Sequence, residues 1–298
     1  MNWEKLRADE FPSAIERSRG LCVIPMGCLE KHGPHLPVGT DSLWAVALTE
    51  EAASVEEVCV FPGGMWLGDV IFRHSDKDPV ANNMAGFISM NPHTMLTVLE
   101  ELCDEIARNG FRKILFVNAH GGNYPMLDYF LSGQNYKKRN YATMYTPAFD
   151  ITTPANMYRT VQERKEEFPY LTKADMEALA HAAQTLGDKE DHAGWNETAM
   201  IYAYYPELVC RERMDAEDGL STHRTDYLKD CNIMTTHRWY ANFPNHFDGA
   251  PAFGCTERIG RALRQLCVER LAEKFRLLKN DEDCVRMVQG LPCCPHPY

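Results

Sequence analysis

Residues 24–41, IPMGCLEKHGPHLPVGTD, set Glu30, His32, His35 and Asp41 in a loop punctuated by glycine and proline, directly behind the apolar run LCVIP at 21–25. Carboxylates and imidazoles are costly to bury without partners. A stretch of this kind is therefore an unlikely joint between two pieces of core, and it belongs where a strand ends and a site begins. A divalent cation would supply the missing partner.

The arrangement then repeats. KILFV at 113–117 reads as a second buried strand and leads straight into NAHGGN at 118–123, which brings His120, Gly121 and Gly122. In open α/β sheets the ligand crevice lies outside the carboxyl ends of the strands, and two polar motifs emerging at such ends reinforce one another. A third cluster, DKEDHAGWNE at 188–197, adds Glu190, Asp191, His192, Trp195 and Glu197.

The elements between these motifs alternate. A helix follows Asp41, with Asp41 or Ser42 capping its first turn, and a strand is expected over 57–61. Met95, Leu99, Leu102 and Ile106 recur at helical spacing over 94–109, where Gly110 ends the run. A helix from Pro125, a strand at 141–145, and surface helices at 156–168 and 172–186, the second capped by Thr172, continue the pattern. Thr256 opens a long terminal helix in which Ile259, Leu263, Leu266 and Phe275 share an apolar side. The connection at 62–91, with Trp66, Asp69, Arg73, His74 and Asp76, reads equally as a wall over a site and as a packed crossing. Residues 206–253 show little periodicity, with a turn marked at 248–251. Without repeats or a linker, the chain reads as one α/β domain over 1–298.

Composition narrows the partners. With 31 basic and 42 acidic residues the formal charge is −11, which argues against nucleic acid or an anionic membrane as the main partner. No apolar stretch reaches the roughly 18 residues of a membrane span, and the first residues carry charge where a secretory signal needs an apolar run, so a cytoplasmic protein is expected. Eleven cysteines without a C-x-x-C pair read as reduced, mostly buried thiols. Cys293 and Cys294, beside Pro292 and Pro295, read as an irregular tail.

Glu30 and His32 are one residue apart, so an extended backbone points both side chains the same way. Gly33, Pro34, Pro37 and Gly39 let the chain turn back and return Asp41 to the same place, where a carboxylate can bridge two cations. His120 arrives from a neighbouring strand end, and Glu197 or His192 can complete the shell. Carboxylate and imidazole ligation without thiolate suits Zn²⁺, Mn²⁺ or Fe²⁺, and a pair of such ions makes hydrolase chemistry. His35 reads as a local hydrogen-bonding residue and His181 as structural, while His223, His237, His246 and His296 lack a supporting pattern. Cys28 has no base partner in sequence, and neither a G-x-S-x-G elbow nor a nucleotide-binding glycine motif is present.

The run EKHGPHLPVGTD at 30–41 resembles the signature of the creatininase (creatinine amidohydrolase) family, NAHGGN at 118–123 its second motif and HAGWNET at 192–198 its third; NGFRK at 109–113 and GAP at 249–251 extend the likeness. The resemblance implies a three-layer α/β/α sandwich with a mostly parallel open sheet, two divalent metals at the strand ends, and a homohexamer. By position, Glu30, Asp41 and His120 would hold one metal, and His32 with bridging Asp41 the other. Creatininase has a metal-binding glutamate where this chain has Gly122, and Glu197 is the expected replacement.

The expected reaction is attack of a metal-bridging hydroxide on a small cyclic amide or related C–N bond. His192 moves the proton, Asp191 or Glu190 orients His192, and Trp66, Gly121, Gly122 and Trp195 shape the substrate's surroundings. The family's other branches include a deformylase, a peptidase that trims a modified peptide, and keto-inositol hydrolases. They keep a second reaction open, on a sugar-derived ketone. A reading of a different class is a catalytically inactive, metal-stabilised binding protein.

Overall fold

The computed structural model describes residues 1–63, 68, 85–88, 90–148, 152–188, 191–235, 238–249, 252 and 254–290. Trp66, Asp69, Arg73, His74, Asp76, Glu190, His237, Cys293, Cys294 and His296 lie outside them. The elements, in chain order, are α1 (Phe11–Arg17), β1 (Leu21–Met26), α2 (Thr40–Val55), β2 (Cys59–Val60), α3 (Pro92–Arg108), β3 (Lys113–Asn118), α4 (Asn123–Gln134), β4 (Ala142–Pro147), α5 (Pro154–Glu163), α6 (Lys173–Leu186), α7 (Trp195–Tyr204), α8 (Asp226–Asp230), α9 (Arg238–Asn242), α10 (Glu257–Asn280) and α11 (Asp283–Val288).

The four strands form a parallel sheet in the order β2-β1-β3-β4, with Leu21 level with Lys113 and Val23 with Leu115. Alternation along the strands splits the core into two faces. Leu21, Val23, Leu115 and Val117 pack with Trp44 and Leu48 of α2, Met157 of α5, Leu179 of α6, Ile201 of α7 and Leu263 of α10. Cys22, Ile24, Ile114 and Phe116 pack instead with Leu99 and Ile106 of α3 and with Leu127 and Phe130 of α4. The result is the expected α/β/α sandwich. Each fully buried aliphatic or aromatic side chain contributes about 1.5–3 kcal/mol, so both layers are held by apolar area rather than by helix propensity.

The connectivity determines where a ligand can sit. The chain leaves β1 through α2 to reach β2 on one side, then crosses by α3 on the opposite face to reach β3 on β1's other side. The strand order therefore reverses between β1 and β3, and the crevice of such a sheet opens at that switch point, beyond the carboxyl ends. The loops that leave those two ends carry Glu30 and His32, and His120.

Gly27 makes the approach at the end of β1 possible. A Cβ there would stand 2.5 Å from the Ser42 nitrogen and 2.7 Å from the Asp41 carbonyl carbon, so only glycine lets the loop lie on the first turn of α2. Asp41 and Ser42, expected as caps, sit inside that turn. Gly39 is the N-cap residue, and the Thr40 hydroxyl donates to the Pro37 carbonyl at 2.7 Å.

Other boundaries shift for identifiable reasons. The helix expected at 156–168 begins at Pro154, a residue suited to a first turn, and gives way after Glu163 to a 3₁₀ turn over Lys165–Glu167. Thr172 caps α6 as expected, its hydroxyl accepting from the Asp175 N–H at 3.2 Å. Residues 198–205 belong largely to α7, and the stretch at 206–253 contains the short helices α8 and α9. No helix among the described residues is long and apolar enough to cross a membrane.

Candidate metal centre

Eight side chains with potential ligand atoms converge beyond β1 and β3, Asp41 among them. Its Oδ1 lies 3.0 Å from His32 Nε2, and its Oδ2 lies 3.0 Å from His120 Nδ1 and 3.2 Å from Cys28 Sγ. On the His120 side, Glu30 Oε1 is 3.0 Å from Nδ1. On the His32 side, Glu197 Oε2 is 3.6 Å from Nε2. Potential ligand atoms thus gather into overlapping groups, one of Cys28, Glu30, Asp41 and His120, another of His32, His192 and Glu197, and a third of Glu30, His192 and His246, with the atoms of each group within 4.8 Å of one another.

Each side chain is aimed by its backbone. The Glu30 N–H donates to the Val38 carbonyl at 3.0 Å, which closes the loop. His32 Nδ1 donates to the Glu30 carbonyl at 3.0 Å, so Nε2 is the nitrogen turned toward the site. Asn118 receives the His120 N–H at 3.3 Å and donates to the His120 carbonyl at 2.8 Å, while Asn123 donates to Asn118 at 2.9 Å and to the Gly27 carbonyl at 3.2 Å. This amide chain ties the end of β3 to the end of β1. Glu197 projects from the first turn of α7, where its Oε2 accepts the Ala193 N–H at 2.5 Å.

The electrostatics are those of buried charges that need counter-charge. Burial works against the charged form of every member. For Asp41 the His32 and His120 imidazoles more than offset it and hold the carboxyl well below its usual range; for Glu30, His120 and His192 do the same. Burial likewise opposes a proton on His32, but the carboxylates of Asp41 and Glu197 push its pKa up to about 10. Burial pushes Glu197 well above the carboxylate range, with Asp41 and Asp191 adding repulsion while His32 opposes it. A divalent cation supplies the same counter-charge that protonated imidazoles supply here.

His192 behaves differently. Its Nε2 donates to the Lys31 carbonyl at 2.8 Å, leaving Nδ1 as the proton-accepting nitrogen, 3.7 Å from Glu30 Oε1. Burial, with His32 adding repulsion against the pull of Glu30, lowers it to about 4. Asp191, expected to orient His192, turns Oδ2 to the start of α7, where it accepts the Trp195 N–H at 2.6 Å and the Asn196 N–H at 3.4 Å. The Lys31 carbonyl is the acceptor found on His192, and Asp191 positions the helix that carries Glu197.

A cavity of about 650 Å³ opens over this cluster, lined by Gly121, Gly122, Pro125, Met234, Trp239 and Tyr240 beside the polar groups. Trp195, expected next to a substrate, is instead 1% exposed in the core, because the first turn of α7 directs it inward. Trp66 lies outside the described residues. Trp239 and Tyr240 are aromatic residues that line the cavity, the Trp239 ring 5.1 Å from that of His192 at 82°.

His35 is structural, although its partner is not backbone: Nε2 meets the Thr198 hydroxyl at 2.9 Å and pins the loop to α7. His246, Cys28, Trp239 and Tyr240 were not predicted as site residues from the sequence. The glycine and alanine at 249–250, noted as part of a turn, were the only signal near His246. No signal marked Cys28 beyond its place two residues before Glu30.

The comparisons with known proteins bear on the family and the fold. The family model described as "Creatininase: Creatinine amidohydrolase" matches residues 4–275. Among curated proteins, a creatinine amidohydrolase of Pseudomonas putida is 22% identical over 69% of this chain and 72% of its own length. A 3-dehydro-scyllo-inosose hydrolase of Thermotoga maritima is 26% identical over 78% of this chain and 64% of its own length. Among solved structures, a mutant creatininase of zinc–zinc type superimposes with a TM-score of 0.65 at 17% identity, covering 94% of this chain and 98% of that one. A creatininase described with manganese does so at 0.66 and 18%, covering 94% and 99%.

Proposed function

This chain belongs to the creatininase family, and we propose that it is a cytoplasmic divalent-metal-dependent hydrolase with two zinc, manganese or iron ions, acting on a small cyclic amide or related C–N bond. The observation that carries the reading is the Asp41 carboxylate, with one oxygen toward His32 and the other toward His120. Glu30, Asp41 and His120 would hold one ion, and His32, Asp41 and Glu197 the other. The fit is supported by Glu30 Oε1, a buried carboxylate oxygen that accepts no hydrogen bond from the described residues although His120 Nδ1 stands 3.0 Å away.

When bound, such ions polarise a carbonyl and lower the pKa of water. His192, neutral and with Nε2 fixed on the Lys31 carbonyl, takes and returns a proton at Nδ1. Trp239 and Tyr240 present aromatic faces to a substrate resting above Gly121 and Gly122 in the cavity they line together. The working assembly in this reading is a homohexamer, which sedimentation analysis tests.

A second reading, hydrolysis of a keto-inositol or other sugar-derived ketone by the same site, is favoured by one observation. The Thermotoga hydrolase matches more of this chain, and at higher identity, than the Pseudomonas amidohydrolase. A panel of creatinine, formamides and keto-inositols with Mn²⁺ or Zn²⁺ separates the two, since turnover of the ketone alone would exclude the amide reading. In either case His192→Ala is expected to keep both ions and lose about 10²-fold or more in turnover. Loss of an ion from this variant would make His192 a ligand instead.

A further inference from the structure

Resting on the two-metal reading, we propose that the Cys28 thiolate is a direct ligand of the ion held by Glu30, Asp41 and His120, which makes that half of the site a four-ligand sulfur, nitrogen and oxygen site.

The argument is geometric. Cys28 is fully buried, and its Sγ belongs to the one group of four potential ligand atoms among the described residues, all within 4.8 Å of one another. A tetrahedral ion with bonds of about 2.3 Å to sulfur and about 2.0 Å to oxygen or nitrogen sets sulfur about 3.5 Å from oxygen, and nitrogen about 3.3 Å from oxygen. Here Sγ lies 3.2 Å from Asp41 Oδ2, and His120 Nδ1 lies 3.0 Å from both Asp41 Oδ2 and Glu30 Oε1. The donors are thus spaced as neighbours on one small ion, with only slight expansion required. Of the nine free cysteines described, Cys28 alone joins such a group. Its backbone is held in place by the Ser42 hydroxyl, which donates to the Cys28 carbonyl at 3.0 Å.

On binding, the S–H bond breaks, the proton passes to solvent, and a sulfur–metal bond forms; no oxidant or reductant takes part. The functional consequence is an asymmetry between the two ions. Four protein ligands close a tetrahedral shell, whereas catalytic sites keep a position open. His32, Asp41 and Glu197 supply only three, so the second ion, which faces His192, is the one with room for substrate or water. A thiolate also biases the first half toward zinc, cobalt or ferrous iron over manganese.

The test loads the purified chain with Co²⁺ and records the near-ultraviolet thiolate-to-metal charge-transfer band, in parallel with Cys28→Ser. X-ray absorption at the zinc edge of the wild-type protein gives a measurement that needs no variant. The expected results are a band in the wild type that Cys28→Ser abolishes, a sulfur scatterer at about 2.3 Å, and a loss of zinc affinity of roughly tenfold or more in the variant. Two ions taken up with only oxygen and nitrogen around them, or a band that survives Cys28→Ser, would overturn the thiolate ligand and leave the two-metal reading standing. Failure to take up any ion would overturn both.

Discussion

His192 and Asp248 form an isolated antiparallel bridge, each N–H donating to the other's carbonyl, at 2.8 Å and 2.9 Å. The bridge holds together two stretches 56 positions apart in the chain. Asp248 then accepts the Trp239 indole N–H at 3.3 Å, and His246, with a left-handed φ of 52°, sets its ring 5.5 Å from that of Trp239. One wall of the cavity is built from this contact.

Trp239 should therefore act on substrate binding more than on metal binding. Trp239→Phe keeps an aromatic face and loses the indole donor, while Trp239→Ala removes both. With the substrate found by the panel, the alanine variant is expected to raise KM about tenfold with a smaller effect on kcat, and phenylalanine to recover most of the loss. Equal loss from both variants, confined to kcat, would show that Trp239 serves the chemistry rather than the binding face.

Gly260 sets how closely α10 and α7 cross. A Cβ at this position would stand 2.6 Å from the Ala199 carbonyl oxygen and 2.9 Å from the Ala203 nitrogen, so Gly260→Ala must displace the helix that carries Glu197. Overpacking of this kind costs about 1–3 kcal/mol, and a lower Tm with weakened binding of one ion is expected. Gly133 on α4 is the control, because a Cβ there meets nothing within 4 Å. Gly133→Ala is expected to stabilise by about 0.5–1 kcal/mol. Equal Tm values for the two variants would contradict the account of the crossing.

Asp175 gives the fold a pH dependence remote from the metal centre. Its Oδ2 accepts the Thr172 N–H at 2.8 Å and the Arg258 Nε at 2.6 Å, and its Oδ1 accepts the Thr256 hydroxyl at 2.7 Å, so one carboxylate joins the starts of α6 and α10. Burial would raise its pKa, but the Arg258 guanidinium and Thr172 outweigh burial and hold it well below the usual range. A depressed folded-state pKa contributes stability that is present above the unfolded value of about 3.9 and is lost as pH falls below it. Asp175→Asn should cost roughly 2 kcal/mol at pH 7, measured by urea denaturation, and the gap to wild type should narrow toward pH 3. A gap independent of pH would show that the carboxylate's charge contributes nothing.

Much of the site was legible because it is local. Glu30 and His32 share one loop whose glycines and prolines turn it back to Asp41 at the start of α2, and His120 follows a strand whose unbroken apolar run marks it as buried. The apolar face of α3 could likewise be read from spacing, as Leu99 and Ile106 illustrate, whereas the two-faced core was implied by the family resemblance. What escaped is brought in by tertiary contact. His246, Trp239 and Tyr240 lie in a stretch without periodicity and are brought to the site by contacts distant in sequence, among them the His192–Asp248 bridge and the Gly33 N–H on the His246 carbonyl. Trp195 looked like a site residue by its neighbours, but its position in the first turn of α7 points it into the core. Cys28 read as an ordinary buried thiol, and only the return of Asp41 onto the same loop gives it company.

The central claim is that Asp41 joins two metal ions, and metal content measured on purified, metal-loaded protein tests it most directly. The wild-type chain is expected to retain two equivalents of Zn²⁺ or Mn²⁺ per chain, and Asp41→Asn, of the same shape without the charge, at most one. A wild-type chain that is folded yet binds no ion, or an Asp41→Asn chain that retains both at undiminished affinity, would contradict the account.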